Sequence, residues 1–212
     1  VQVKDFMLSS AGAAVGWSDR VELSAARQWL EVDPLDLTLR QDVFGAKIRV
    51  AGELLYSRLP QVAVGVQHKR HRDFAVPELL GARDDSGTDL YISAARLFFA
   101  SLFDRNLFVN VVARSTGANE TGLLGHGGPR GSRSTVLEGT LALFMTDRWV
   151  IGYEYRDKPR HLTSVGEHAW QDVFIAWFPH KAFSVVAARV DLDTVAELPG
   201  QDGWYLSLQA SF

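Results

Sequence analysis

Few side chains in this 212-residue chain are spaced for chemistry. Asp85-Ser86-Gly87-Thr88 spells the aspartic-protease signature. That chemistry needs two carboxylates sharing one proton, and the pattern occurs once, so it reads as a turn entering a strand. Asp84, Asp85 and Asp89 could ligate Ca²⁺ together with loop carbonyls, but their spacing is not that of an EF-hand. His161 with Ser164, and His168 near Asp172, are the groups from which a hydrolase would be built. None of them forms the alternate-residue Ser/His pair that would put a nucleophile and its base on one strand face, so no catalysis is expected. Gly125 to Gly131 is glycine-rich but precedes a strand, so it lacks the helix N-terminus that makes such loops bind phosphate. It is expected to be a mobile outside loop. His68-Lys69-Arg70-His71-Arg72 is a basic run which, with Arg130 and Arg133, could meet phosphates at a lipid surface or serve as a solvated rim. Asn119-Glu120-Thr121 spells a glycosylation sequon.

Composition narrows the field. There are no cysteines, which removes disulfide scaffolds, thiolate metal sites and thiol nucleophiles. Lys and Arg number 22 against 25 Asp and Glu, a net charge of −3 that does not suit a nucleic-acid binder. At 47% apolar the chain is no disordered tail. No apolar run reaches the roughly 18 residues of a membrane-spanning helix. No cofactor or metal is expected.

The positioning elements follow from a period of two. Trp204, Leu206, Leu208, Ala210 and Phe212 alternate with Tyr205, Ser207, Gln209 and Ser211, and Val62 to Gln67 alternates likewise. Successive strand side chains point to opposite faces, so this pattern specifies strands. It gives eleven segments: 3–16, 20–30, 42–56, 60–70, 88–102, 106–115, 134–145, 148–157, 168–178, 181–191 and 203–212. Short connections (Trp17–Arg20, Ser57–Pro60, Phe103–Asn106, Thr146–Arg148, Phe178–Lys181) alternate with long ones over about 31–41, 71–87, 116–133, 158–167 and 192–202. That rhythm is an up-and-down meander with its tight turns at one end, the layout of an outer-membrane barrel. Trp17, Trp29, Tyr56, Phe103, Trp149, Tyr155, Phe178 and Trp204 fall near segment ends, where aromatic girdles sit.

Charges recur in mid-strand opposite the apolar face. Phe44, Ala46, Ile48 and Val50 oppose Lys47 and Arg49. Trp149, Ile151, Tyr153 and Tyr155 oppose Glu154 and Arg156. In a membrane the apolar face looks outward, which assigns Glu22, Lys47, Arg49, Glu53, Arg114, Glu138, Glu154, Arg156 and Asp172 to the lumen. With mixed signs able to pair, they predict a closed or narrow interior, since an unpaired buried charge costs several kcal/mol.

The terminus, with Phe212 last and apolar residues at every second place before it, resembles the C-terminal assembly signal of bacterial outer-membrane proteins. Asp19 to Gln28, Leu59 to Gly65, Leu80 to Asp89, Gly152 to Pro159 and Gly203 to Gln209 are similar to an uncharacterised proteobacterial outer-membrane β-barrel family, a domain of unknown function. The resemblance covers essentially the whole chain and implies fold and location, with no catalytic residues. It implies a single barrel domain over 1–212 in the outer membrane of a Gram-negative bacterium. Its partners would be outer-membrane lipid and lipopolysaccharide, the barrel assembly machinery through Phe212, and a protein partner through the loops. It further implies a strand upstream of Val3-Lys4-Asp5, which would make twelve with the eleven found here, an even number as in bacterial single-chain barrels. The expectation is thus an all-β transmembrane up-and-down barrel without enzymatic activity, either a narrow pore for small solutes and ions or a scaffold whose outside loops bind a partner. The alternatives are an outer-membrane lipid hydrolase and a soluble ligand-binding barrel.

Overall fold

The computed structural model describes residues 1–162, 169–196 and 198–211. The period-two segments become eleven strands: β1 (Phe6–Trp17), β2 (Val21–Val32), β3 (Leu37–Ala51), β4 (Gln61–His71), β5 (Ser86–Leu102), β6 (Arg105–Thr116), β7 (Ser134–Phe144), β8 (Trp149–Arg156), β9 (Trp170–His180), β10 (Phe183–Asp191) and β11 (Asp202–Ala210). They pair antiparallel in chain order within one curled sheet, a half-barrel of up-and-down topology. A short helix, α1 (Ala75–Leu79), and two 3₁₀ turns are the remaining regular elements among the described residues.

Two connections differ from the expected rhythm. Residues 31–41 are not a long loop. Alternation continues through Leu37-Thr38-Leu39, so β3 starts at Leu37 and pairs Val32 with Leu37 across a 3₁₀ turn at Asp33–Leu35. Leu39 is 3% exposed, and that burial lengthens the strand. At the other end β3 stops at Ala51 rather than near Tyr56, because Gly52 turns into the left-handed region at φ +65.

Register sorts the faces. Leu206, Leu208 and Ile151 are 66%, 65% and 44% exposed on the convex side. The concave side is identified by what packs across it. At the long-loop end, Phe6 of β1, Leu30 and Val32 of β2, Leu39 of β3 and Val190 of β10 share one cluster with Leu123, Leu124 and Leu162 from the loops. At the short-turn end, Ala142, Val150 and Ala176 pack with Phe108, Phe144, Phe174 and Val186. The interior is therefore layered, apolar at both ends with a charged band between, rather than polar throughout.

The seam between β1 and β11 is held at one end by residues 1–3. Gln2 exchanges backbone hydrogen bonds with Trp204 (2.8 and 2.9 Å), while Val3 donates to Phe6 at 3.0 Å and Leu8 to Val1 at 2.8 Å.

Candidate functional site: the charged inner wall and its loop plug

Cross-strand register makes the charged band. Glu22 and Lys47 are Cα partners on β2 and β3, and their side chains meet at 3.0 Å. Lys69 of β4 meets Asp89 of β5 at 2.8 Å, both buried. Arg114 of β6 bonds Glu138 of β7 at 2.6 Å, lies 3.7 Å from Asp89 and stacks on Tyr91 at 4.9 Å. Arg156 reaches Glu138 at 3.8 Å. Lys69, Asp89, Arg114, Glu138 and Arg156 thus form a continuous alternating-sign network across β4–β8. Glu154 accepts from Thr140 at 3.2 Å and faces its Cα partner Asp172. Arg49 is half-buried on the same face, whereas Glu53 lies past the end of β3 and is exposed. Eight of the nine residues assigned to the lumen therefore lie on the inner wall.

The loop between β6 and β7 fills the mouth above this band. Gly117 to Gly128 is buried except for the half-buried Thr121, so the glycine-rich segment does not hang free as expected. Glu120, Thr121 and Gly122 all take positive φ (44°, 60° and 103°), which folds the chain back on itself. Asn119 pins the loop by donating to the carbonyls of Gly127 (2.8 Å) and Leu124 (3.4 Å). The His71 ring bonds the Leu123 carbonyl at 2.6 Å. Leu123 and Leu124, 3% and 2% exposed, insert between β2–β3 and β10. Lys158, from the connection after β8, clamps Glu120. A cavity of about 1090 Å³ lies beneath, its wall apolar at Leu30, Leu124 and Val190 and polar at Glu138, Glu154 and Asp172.

The basic run is split by strand parity rather than gathered into one patch. Lys69 and His71 turn inward and are buried, while His68, Arg70 and Arg72 are exposed. Arg130 is exposed on the loop, and Arg133 lies outside, bonded to Ser115 and to the Thr88 carbonyl. Asp85-Ser86-Gly87-Thr88 enters β5 as expected of a turn. Asp89 points inward to Lys69 rather than joining Asp84 and Asp85, and no metal-holding cluster of His, Asp or Glu exists among the described residues.

Sequence reasoning missed one Ser–His contact. Ser134 Oγ and His161 Nε2 lie 2.9 Å apart, brought together from β7 and the β8–β9 connection. His161 is 2% exposed and burial lowers its pKa. Among the described residues its Nδ1 has no side-chain orienter. Ser164, His168 and Phe212 lie outside the described residues. Also missed were Arg27, Arg40, Asp42 and Asp73 on the outer wall. Arg27 contacts Asp42 at 2.6 Å, Arg72 also holds Asp42, and Arg40 grips Asp73 with two bonds of 2.8 Å that hold the Asp73 carboxyl below its ordinary pKa. Their spacing in sequence carries no signal, because the pairs form between strands.

Compared with curated proteins, the chain finds no match. A family model described as a protein of unknown function, DUF3034, matches residues 1–209, so the chain belongs to that family.

Proposed function

We propose that this chain is a non-enzymatic β-barrel of a Gram-negative outer membrane, and that it works as a closed scaffold presenting folded loops rather than as an open pore. The observation that carries the reading is the seating of Leu123 and Leu124 between β2–β3 and β10, over an inner wall whose central charges are paired. A conducting path needs continuous water, and an apolar plug at the mouth of the cavity is what would interrupt it. The convex surface supports the membrane assignment. Ile48, Val64, Leu90, Val111, Leu141, Ile175 and Leu206 are each at least 40% exposed, a contiguous apolar band far beyond what a soluble monomer leaves to water. Trp149 stacks on Trp177 at 5.7 Å, and Tyr56 on Phe99 at 6.4 Å, as an aromatic rim at the short-turn end. Unpaired strand edges are not stable in hydrocarbon, so this reading requires the facing edges of β1 and β11 to be paired along their length. Assembly-machinery recognition would act through Phe212, and a protein partner would meet the loops.

Planar-bilayer recording tests the function. The protein is expected to give no stable conductance steps, and deletion of 119–126 is expected to produce them. Stable steps from the intact chain would instead establish a pore.

A further inference from the structure

We propose that the outer wall of β2–β6, at its long-loop end, binds the phosphate groups of a phosphorylated membrane lipid. The inference rests on the membrane reading above and names a partner for that surface. Arg27, Asp42 and Arg70 are successive Cα partners on β2, β3 and β4, a row across three strands facing outward. Both oxygens of Asp42 are already taken, Oδ1 by Arg27 and Oδ2 by Arg72. Arg70 therefore faces a carboxylate already paired with two other guanidinium groups, and it has no ion pair of its own among the described residues. Arg40 is neutralised by Asp73. Arg133 is held flat against β5 and β6 by bonds to Ser115 (2.7 and 2.8 Å) and the Thr88 carbonyl (2.8 Å), all neutral acceptors. Of these five guanidinium groups, Arg27 and Arg72 pair with Asp42 and Arg40 with Asp73, while Arg70 and Arg133 have no ion pair among the described residues. Asp85, the next acid along, accepts from the Ser86 hydroxyl.

Position selects the ligand. Toward the short-turn end of the row, on the same face, lie Phe44 next to Asp42 on β3, Val66 and Val64 beyond His68 on β4, and Leu90 beyond Thr88 on β5, with Phe44, Val64 and Leu90 53%, 40% and 55% exposed. A row of fixed cations bordering an exposed apolar wall matches a molecule whose phosphates and acyl chains are joined. Arg27 and Arg70 are two strand spacings apart, about 10 Å, so the row can span more than one phosphate. Guanidinium forks suit phosphate oxygens.

The experiment uses the full chain refolded in zwitterionic detergent, with native mass spectrometry reading bound lipid. The probes are bis-phosphorylated lipid A, the same lipid with its phosphates removed, and inorganic phosphate. Lipid A is expected to bind, the dephosphorylated lipid at least about tenfold more weakly, and inorganic phosphate not measurably. Arg70→Gln with Arg133→Gln is expected to weaken lipid A binding at least about tenfold, while Arg130→Gln on the loop leaves it unchanged. Equal binding of both lipids, equal competition by inorganic phosphate, or an unaffected double variant would overturn the proposal. Heat-modifiable gel mobility and insertion into neutral phosphatidylcholine vesicles, measured on the same samples, report the barrel itself. Their loss would defeat the membrane reading, whereas their retention with indifferent lipid binding defeats this inference alone.

Discussion

Lys158 Nζ donates to both carboxylate oxygens of Glu120 at 2.9 Å, with each side chain 1% exposed, and so ties the β6–β7 loop to the connection after β8. Lys158 also lies 5.2 Å above the Trp170 ring. Breaking a buried pair is destabilising, while replacing both partners with apolar groups is close to neutral. Lys158→Met is therefore expected to lower stability, and Lys158→Met with Glu120→Leu to recover part of the loss. Denaturant unfolding in micelles measures both. A double variant as unstable as the single one would show that the pair does not act as a unit.

His126 makes the plug sensitive to acid. It is 3% exposed, both ring nitrogens lack partners among the described residues, and burial together with the nearby Lys69 charge lowers its pKa to about 4, against the opposing pull of Asp89. The unfolded ring titrates near 6.5. Between those values the unfolded loop binds more protons than the folded one, so stability rises with pH. The plug is fully stable above about pH 6.5 and loses on the order of 3 kcal/mol as pH falls toward 4. Hydrogen exchange of the 117–128 amides at pH 7.5 and 4.5 should show this loss, and His126→Leu should reduce it. Equal protection at both pH values in the unaltered protein would contradict the assignment.

Gly152 of β8 lies beneath the Phe174 ring of β9, its Cα partner. A Cβ there would come within 2.2 Å of the ring and 2.7 Å of the Leu141 carbonyl oxygen. Gly65 stands in the same relation to Tyr91, at 2.2 Å. Gly152→Ala must push Phe174 out of the inner apolar layer, and overpacking of this kind costs about 1–3 kcal/mol. Adding Phe174→Leu should restore part of the loss. Unchanged unfolding of Gly152→Ala would mean that the ring moves freely.

What was legible in the sequence and what was not divide along one physical line. Alternation is local, so Trp204 to Ala210 and Val62 to Gln67 announced their strands, and strand parity put Lys47, Arg114 and Glu138 on one inner face. The continuation of β3 up to Leu37 was hidden because Asp33-Pro34-Leu35-Asp36 reads as a loop. The burial of Gly117 to Gly128 was hidden because composition marks glycine-rich loops as exposed, while Leu123 and Leu124 find partners on β2 and β10, far away in sequence. The basic run at 68–72 looked like one patch because charge was counted along the chain, whereas the pleat sends Lys69 and His71 inward. Ser134 with His161, and Arg27 with Asp42, are contacts between elements, which spacing along the chain does not encode.

The central claim is that apolar side chains face lipid and charged ones face inward. The chain has no cysteine, so single cysteines can be placed at will. Spin labels at 150–155 on β8 and 171–176 on β9, in reconstituted vesicles, should alternate. High oxygen accessibility is expected at Ile151, Tyr153, Val173 and Ile175, and low at Gly152, Glu154, Asp172 and Phe174. Equal or greater contact of Ile151 and Val173 with a water-soluble nickel reagent would contradict the account.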